Sequence, residues 1–473
     1  MTETHLAFAG IEEVAALFRK RKLSPVELTK LILGRIGQLN PKLNAYITVT
    51  HDLALAQAKK AEAELFGPRG RKGRRDLGPL HGIPISLKDN IYTEGVRTTA
   101  GSKILKDFVP LHDAPVVTRL KEAGAVIIGK TNLHEFAYGA TTNNPHYGPA
   151  RNPWDTSRIP GGSSGGSAVA VAAGLCYGSI GTDTGGSIRI PSALCGVAGL
   201  KPTFGRVNVY GTIPLSPKLD CIGPLARSIA DNALLLNPIL TRGANEPPFP
   251  AMKKRTEKSQ KFRLGVPREF FFDVVEEDVW LIFDEAMRAL RKLGMHLIDV
   301  SMPLLKDTEE AGNQIAWPEA THYHQQAGWF PARSADYGDD VRERLEMGTK
   351  VPATNYLRAL ETREKFIHQF HLAMTDAKLD ALISLTVPII APHIGEETVH
   401  INGNNHSIRA LLLRLNRPAN LGGLPAITIP CGFTANGLPV GLQFIGVVTD
   451  ENLLLRIART FEREHPQNRR PLL

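Results

Sequence analysis

Short apolar runs of β type, separated by helical segments, predict an α/β protein built on a largely buried mixed sheet. Three observations carry this expectation. "IPISLKD" and "AVIIGKT" are compact apolar runs divided by the helical "APVVTRLKEAG". "RLGVPREF" followed by "EDVWLIFDEAMRALRKLGMHLIDVSMP" reads as strand, helix and strand. "LDALISLTVP" and "PAITIPCG…GLPVGLQFIG" supply further strands near the C-terminus.

Ahead of these runs, the first 65 or so residues read as helical. "IEEVAALFRK" carries apolar residues at helical spacing. "SPVELTKLILGRIGQL" opens with a capping box, Ser24 with Glu27 three residues on, and Pro25 at the first helical position. "HDLALAQAKKAEAEL" is amphipathic and rich in Ala and Leu. A basic loop at 67–76 closes this segment. The chain thus divides into an N-terminal helical segment (1–76) packing on a single large domain (77–473). A flexible Pro- and Lys-rich loop is expected at about 241–262.

The 473 residues are 42% hydrophobic and 22% charged, as in globular rather than disordered chains. A formal charge of +9 would suit a nucleic-acid or membrane partner, but its placement argues otherwise. "RGRKGRR" holds five cations, and "KKRTEKSQKFR" holds six against one Glu257; together they account for the whole excess. Neither segment interleaves aromatics that could stack on bases, so no nucleic-acid partner is expected. Nor is a membrane partner, since no run is long and apolar enough to span and the N-terminus lacks a signal-peptide pattern. Cys176, Cys195, Cys221 and Cys431 are widely spaced without C-x-x-C, which fits reduced thiols and a cytoplasmic location.

Two literal motif matches fail on physical grounds. "GAVIIGKT" (124–131) fits the phosphate-loop expression, but Ala125, Val126, Ile127 and Ile128 are themselves the strand. A strand cannot wrap an anion with its amides there. "GSSGG" (162–166) fits G-x-S-x-G around Ser164, yet a proline-punctuated loop precedes it where a nucleophile elbow needs a β-run.

A third constellation is distributed. Lys88 ends the apolar strand in "HGIPISLKDN"; Ser163 lies in "PGGSSGGSAVAVAAG"; Ser187 lies in "GTDTGGSIRIP". Two Gly/Ser loops bracketing an apolar helix can fold onto a strand end. A lysine desolvated there becomes a neutral base near pH 7, and a serine needs such a base to act as a nucleophile. From residue types and spacing alone, a Ser/Lys hydrolase and a solvated lysine beside ordinary turns both remain open.

These segments together resemble the amidase signature family. The matching runs are "GPLHGIPISLKDN", "GAVIIGKTNLHEFAYG", "NPWDTSRIPGGSSGGSAVAVAAG", "GTDTGGSIRIPSALCGVAGLKPTFGRV" and "NLGGLPAITIPCG…GLPVGLQFIG", in order over about residues 10–460. The resemblance implies the amidase signature fold, a central twisted mixed sheet with helices on both faces. It implies a Ser–cis-Ser–Lys triad: Ser187 as nucleophile, Ser163 as the bridging serine in a cis peptide, and Lys88 as base. The amides of Thr184, Gly185, Gly186 and Ser187 would form the oxyanion hole. Asp183 and Arg189 are expected to hold the loop, and His81 and His134 to be hydrogen-bonded structural residues. No metal or organic cofactor is implied. Ala137 and Tyr138, in "EFAYGA", match positions that line the acyl pocket.

The expected activity is hydrolysis of apolar or aryl amides through an acyl-enzyme, extending to esters or carbamates, by a monomer or homodimer. Aromatics at 317–337 (Trp317, Tyr323, Trp329, Phe330, Tyr337) suggest the aryl preference. The alternative is the glutamine-hydrolysing A subunit of a tRNA-dependent amidotransferase. Such a protein is expected to use an arginine in Y-x-x-A-x-x-x-R, kept here as "YLRALETR" ending at Arg363. It also needs an acid shortly before "PANL", where this chain places Leu413. That difference favours a free-standing hydrolase.

Overall fold

The computed structural model describes residues 2–67, 76–241, 261–467 and 469–473. The basic segment 69–75 and most of the loop expected to be flexible lie outside the described residues.

The strands are β1 (Tyr46–Val49), β2 (Pro84–Lys88), β3 (Val126–Thr131), β4 (Gly178–Asp183), β5 (Ala198–Lys201), β6 (Cys221–Ala226), β7 (Arg263–Pro267), β8 (His296–Val300), β9 (Ala381–Leu385), β10 (Thr398–Ile401), β11 (Asn404–Ser407), β12 (Ala426–Phe433) and β13 (Pro439–Ile445). Among the described residues, eleven of them form one sheet in the order β1-β3-β2-β4-β6-β5-β12-β13-β9-β7-β8, and β10 and β11 form a separate ribbon. The sheet is mixed: β3, β2 and β4 run parallel to one another, as do β9, β7 and β8, while the central strands pair antiparallel. Helices flank this sheet. Every residue of β2, β3 and β4 is buried, which is why none of them shows the polar–apolar alternation of a half-exposed strand.

The N-terminal segment departs from the all-helical expectation in one place. Tyr46–Val49 is an edge strand, paired antiparallel with β3. Its four residues are too few to show a period, but Gly129 of β3 marks the contact. A Cβ at Gly129 would fall 2.7 Å from the Thr48 carbonyl oxygen, so only glycine lets β1 lie this close. The apparent phosphate loop is strand β3. Lys130 is buried within it, its Nζ donating to Ile91 O and Thr98 Oγ1 and lying 3.6 Å from Asp89 Oδ1. Burial lowers its pKa to about 8.

The helix Pro25–Leu43 begins with both halves of the capping box. Ser24 Oγ accepts the Glu27 N–H at 3.1 Å, and Glu27 Oε2 accepts the Ser24 N–H at 2.8 Å. Further along, the apolar helix Gly165–Ala172 is buried throughout and packs against β2, β3, β4 and β6. Among the described residues no helix is long and apolar enough to cross a membrane.

Topology positions the site. Because β2 and β4 are parallel neighbours, with Leu87 opposite Ile180, their carboxyl ends reach the same edge of the sheet. Ligands of open α/β sheets collect at such ends.

The capping box yields a local prediction. Ser24→Ala removes one side-chain acceptor, worth about 1 kcal/mol. Hydrogen exchange of the first-turn amides of Pro25–Leu43 should speed up roughly fivefold, while exchange in β2 and β4 stays as it is.

Candidate active site

Lys88 is the last residue of β2 and is fully buried. Its Nζ lies 2.7 Å from Ser163 Oγ, 2.7 Å from Thr182 Oγ1 and 3.5 Å from the Thr182 carbonyl oxygen. Burial lowers its pKa to about 7, partly opposed by the charges of Asp183 and Asp220. An amine in this state is half neutral near pH 7 and can take a proton from a hydroxyl at hydrogen-bond distance.

Ser163 sits in the loop leading into the helix Gly165–Ala172, and the Gly162–Ser163 peptide is cis. Its carbonyl oxygen accepts the His134 N–H (3.1 Å) and the Thr142 hydroxyl (3.3 Å). The next residue ties the two serine loops together. Ser164 N–H donates to the Ser187 carbonyl (3.1 Å), and Ser164 Oγ donates to the Thr182 carbonyl (3.1 Å).

Ser187 lies in the turn between β4 and the helix Arg189–Cys195. The turn is wrapped around Asp183. That carboxylate accepts the N–H of Gly186 (2.8 Å) and of Ile188 (3.2 Å), two bonds from Arg189 (3.0 and 3.1 Å) and one from Asn420 Nδ2 (2.8 Å). Burial alone would raise its pKa, but the Arg189 guanidinium, Asn420 and Lys201 hold it well below the usual carboxylate range. Arg189 is equally buried and spends its remaining donors on Gln443 and Asn420.

This wrapping bears on the expected oxyanion hole. Thr184, Gly185 and Ser187 face a cleft, but the Gly186 N–H is turned inward to Asp183 Oδ1. It is therefore not a free donor to the cleft. Gly186 has φ +121°, and a Cβ there would meet Asn416 Cβ at 2.6 Å, so glycine is required on both counts.

The cleft holding Ser187 is walled by Ala137, Tyr138, Gly139, Leu413, Arg409 and Arg417, among others. A second cavity shares Ala137, Thr184 and Leu215 with it and is also lined by Asn90 and Asp220. Ala137 and Tyr138 therefore stand in the same wall as Ser187. The aromatics of 317–337 do not. Phe330 and Tyr337, with Trp317, Tyr323 and Trp329 against them, pack around Phe136 in an apolar cluster that meets the cleft only through Tyr138 and Leu215; Phe136 meets His324 edge-on at 4.4 Å. None of the five lines the cleft directly, so they are not themselves its wall.

Leu413 does occupy the cleft wall, at the place where the amidotransferase reading needs an acid. Arg363 lies elsewhere, reaching the Lys218 carbonyl at 3.5 Å and standing 5.8 Å over the Phe204 ring. His81 and His134 are held by carboxylates: Glu64 at 2.9 Å and Asp340 at 2.8 Å.

Several residues of the site are not evident in the sequence alone. Thr182 is the second partner of Lys88, and its place directly before Asp183 at the end of a β-run is the available signal. Asp220 accepts the Thr184 hydroxyl and the amides of Leu215 (2.9 Å) and Ser216 (3.1 Å); burial raises its pKa to about 6. Arg409 and Arg417 also escape a sequence reading, though each interrupts an apolar stretch before "PANL".

A buried lysine beside a serine, facing a loop of backbone amides at the ends of parallel strands, has the chemistry of a hydrolase that breaks amide bonds. The comparisons agree on the family. The amidase family model matches residues 27–455, and the chain belongs to that family. It is 40% identical over 487 residues to the A subunit of the glutamyl-tRNA(Gln) amidotransferase of Myxococcus xanthus (strain DK1622), covering 97% of each chain. Among solved structures, it is similar to a crystal structure of an amidase (TM-score 0.87, 34% identity, 97% of this chain and 100% of that one). It is also similar to native peptide amidase from Stenotrophomonas maltophilia (TM-score 0.81, 31% identity, 98% of each chain).

The buried pair gives the prediction for this site. Arg189→Met leaves the Asp183 charge unpaired in the interior and should cost about 3–5 kcal/mol. Denaturant unfolding monitored by tryptophan fluorescence reads this. A loss under about 1 kcal/mol would mean that the pair does not hold the turn.

Proposed function

We propose that the protein hydrolyses a carboxamide through an acyl-enzyme on Ser187, with Ser163 relaying protons to Lys88. The observation that carries this reading is the buried Lys88 amine, 2.7 Å from Ser163 Oγ and with its pKa lowered to about 7.

In this reading the neutral Lys88 amine takes the Ser163 proton while Ser163 takes that of Ser187. Ser187 Oγ then bonds to the amide carbon, and the amides of Thr184, Gly185 and Ser187 stabilise the oxyanion. The C–N bond breaks as the proton returns through Ser163 to the departing amine. Water enters by the same relay and cleaves the Ser187 ester, releasing the carboxylic acid and restoring Ser187. Esters and carbamates are open to the same steps.

A second reading, the glutamine-hydrolysing A subunit of a tRNA-dependent amidotransferase working with partner subunits, draws on sequence. The 40% identity to such a protein runs the length of both chains. The composition of the cleft favours the first reading. Glutamine brings an α-ammonium group, and the wall beside Ser187 offers Leu413, Arg409 and Arg417 in place of an acid. Ammonia release from L-glutamine and from simple amides, by the chain alone, separates the two.

Two outcomes are expected. Ser187→Ala and Lys88→Met should each lower kcat by at least about 10³-fold, on the scale of losing a member of a catalytic unit. The pH profile should follow the lowered lysine pKa. Protonated Lys88 cannot accept a proton, so kcat/KM should rise tenfold per pH unit up to about pH 7 and level off above it. A profile flat from pH 5 to 9 would exclude Lys88 as the base.

A further inference from the structure

One side of the Ser187 cleft is cationic, and two of its arginines, Arg409 and Arg417, make no ion pair among the described residues. Arg417 is only 5% exposed, yet no carboxylate comes within 4 Å of it among the described residues. One Nη donates to Asn313 Oδ1 at 2.8 Å, while its Nε is buried without a hydrogen-bond partner. Two glycines make room for it. A Cβ on Gly185, in the Ser187 turn, would fall 3.2 Å from Arg417 Nε, and one on Gly312 would fall 3.0 Å from Nη1. The guanidinium is thus slotted directly against the loop that carries the nucleophile.

Arg409 repeats the pattern from the neighbouring helix. Its Nε is buried and unpartnered, and no ion pair reaches it among the described residues. Burial, and after it the charges of Arg344 and Arg417, lower its pKa to about 9. Arg344 differs, because it is satisfied by Asp340 at 2.9 Å and by the Tyr138 carbonyl. Between these arginines the Tyr138 hydroxyl is also buried without a partner. Glu309, Asp340 and Asp183 are the acids whose charges reach this group; Asp183 is committed to Arg189, and Asp340 to His134 and Arg344.

Two guanidinium edges and a phenol with unused donors, on one wall of a cleft, match a carboxylate in charge and in fork geometry. Leu413 supplies no acid there, so a substrate ammonium would meet two cations and no partner. Resting on the hydrolase reading, we infer that the cleft selects small amides bearing a carboxylate and no ammonium, such as the half-amide of a short dicarboxylic acid. Its anion is taken by Arg409, Arg417 and the Tyr138 hydroxyl while the amide carbon faces Ser187.

Succinamate, its neutral isostere succinamide and the zwitterion L-glutamine test this by ammonia release. The wild type should turn over succinamate with kcat/KM at least a hundredfold above both others. Arg409→Gln should cut the succinamate-to-succinamide ratio at least tenfold, chiefly through KM, and Arg417→Lys should cut it in the same direction with less risk to folding than a neutral replacement. Calorimetry on Ser187→Ala should show succinamate binding that succinamide does not match. A wild-type ratio near one, a preference for glutamine, or a ratio unmoved by both arginine variants overturns the inference while leaving the hydrolase in place. Selective succinamate binding to Ser187→Ala without any turnover by the wild type upholds the inference about the cleft and removes the hydrolase reading. Neither binding nor turnover removes both.

Discussion

The buried ion pair between Asp183 and Arg189 is the interaction on which the site depends. One carboxylate at the end of β4 gathers five donors from Gly186, Ile188, Arg189 and Asn420, and so fixes the turn carrying Ser187. Through Arg189 the same knot reaches Gln443 on β13 and Asn420 beside the Arg417 segment. Distant parts of the chain therefore meet at one charge, and a turn that would otherwise be a mobile glycine loop is over-determined. A buried pair of this kind contributes little net stability against an apolar replacement, but removing one partner strands the other. Its value here is positional.

The same geometry explains how Lys88 can be buried. Its desolvation favours the neutral amine, and the carboxylates of Asp183 and Asp220 oppose that only in part. Asp183 is already engaged by Arg189, and Asp220 is shifted up to about 6 and turned toward Thr184, Leu215 and Ser216. Neither carboxylate makes a direct bond to the amine; Ser163 and Thr182 do. A lysine paired directly with a carboxylate would stay charged and useless as a base. Here hydroxyl partners leave its pKa near the working range.

Much of this is legible in the sequence because it is written in local chemistry. Gly-Ser loops on either side of an apolar helix, and a lysine closing an apolar strand, announce where backbone can approach closely and where a charge is desolvated. The capping box at Ser24 and Glu27 and the strand character of "AVIIGKT" are local in the same way. What is not legible depends on distant parts of the chain. Tyr46–Val49 is a strand only because Gly129 admits it to the edge of β3. Gly186 turns its amide away from the cleft only because Asp183 folds back beneath it. The aromatics of 317–337 have the composition of a pocket, but their partners are one another and Phe136. Arg409 and Arg417 look like surface charges until Gly185 and Gly312 are seen to frame a slot for one of them.

The central claim is that Ser187 is made nucleophilic by a neutral Lys88. The most direct measurement is the rate and site of labelling by a fluorophosphonate, read by intact mass and peptide mapping across pH. A single adduct on Ser187, forming faster as pH rises through about 7 and lost in Lys88→Met, is the expected result. No adduct on the folded protein, or an adduct on Ser187 whose rate is the same in Lys88→Met, would contradict it.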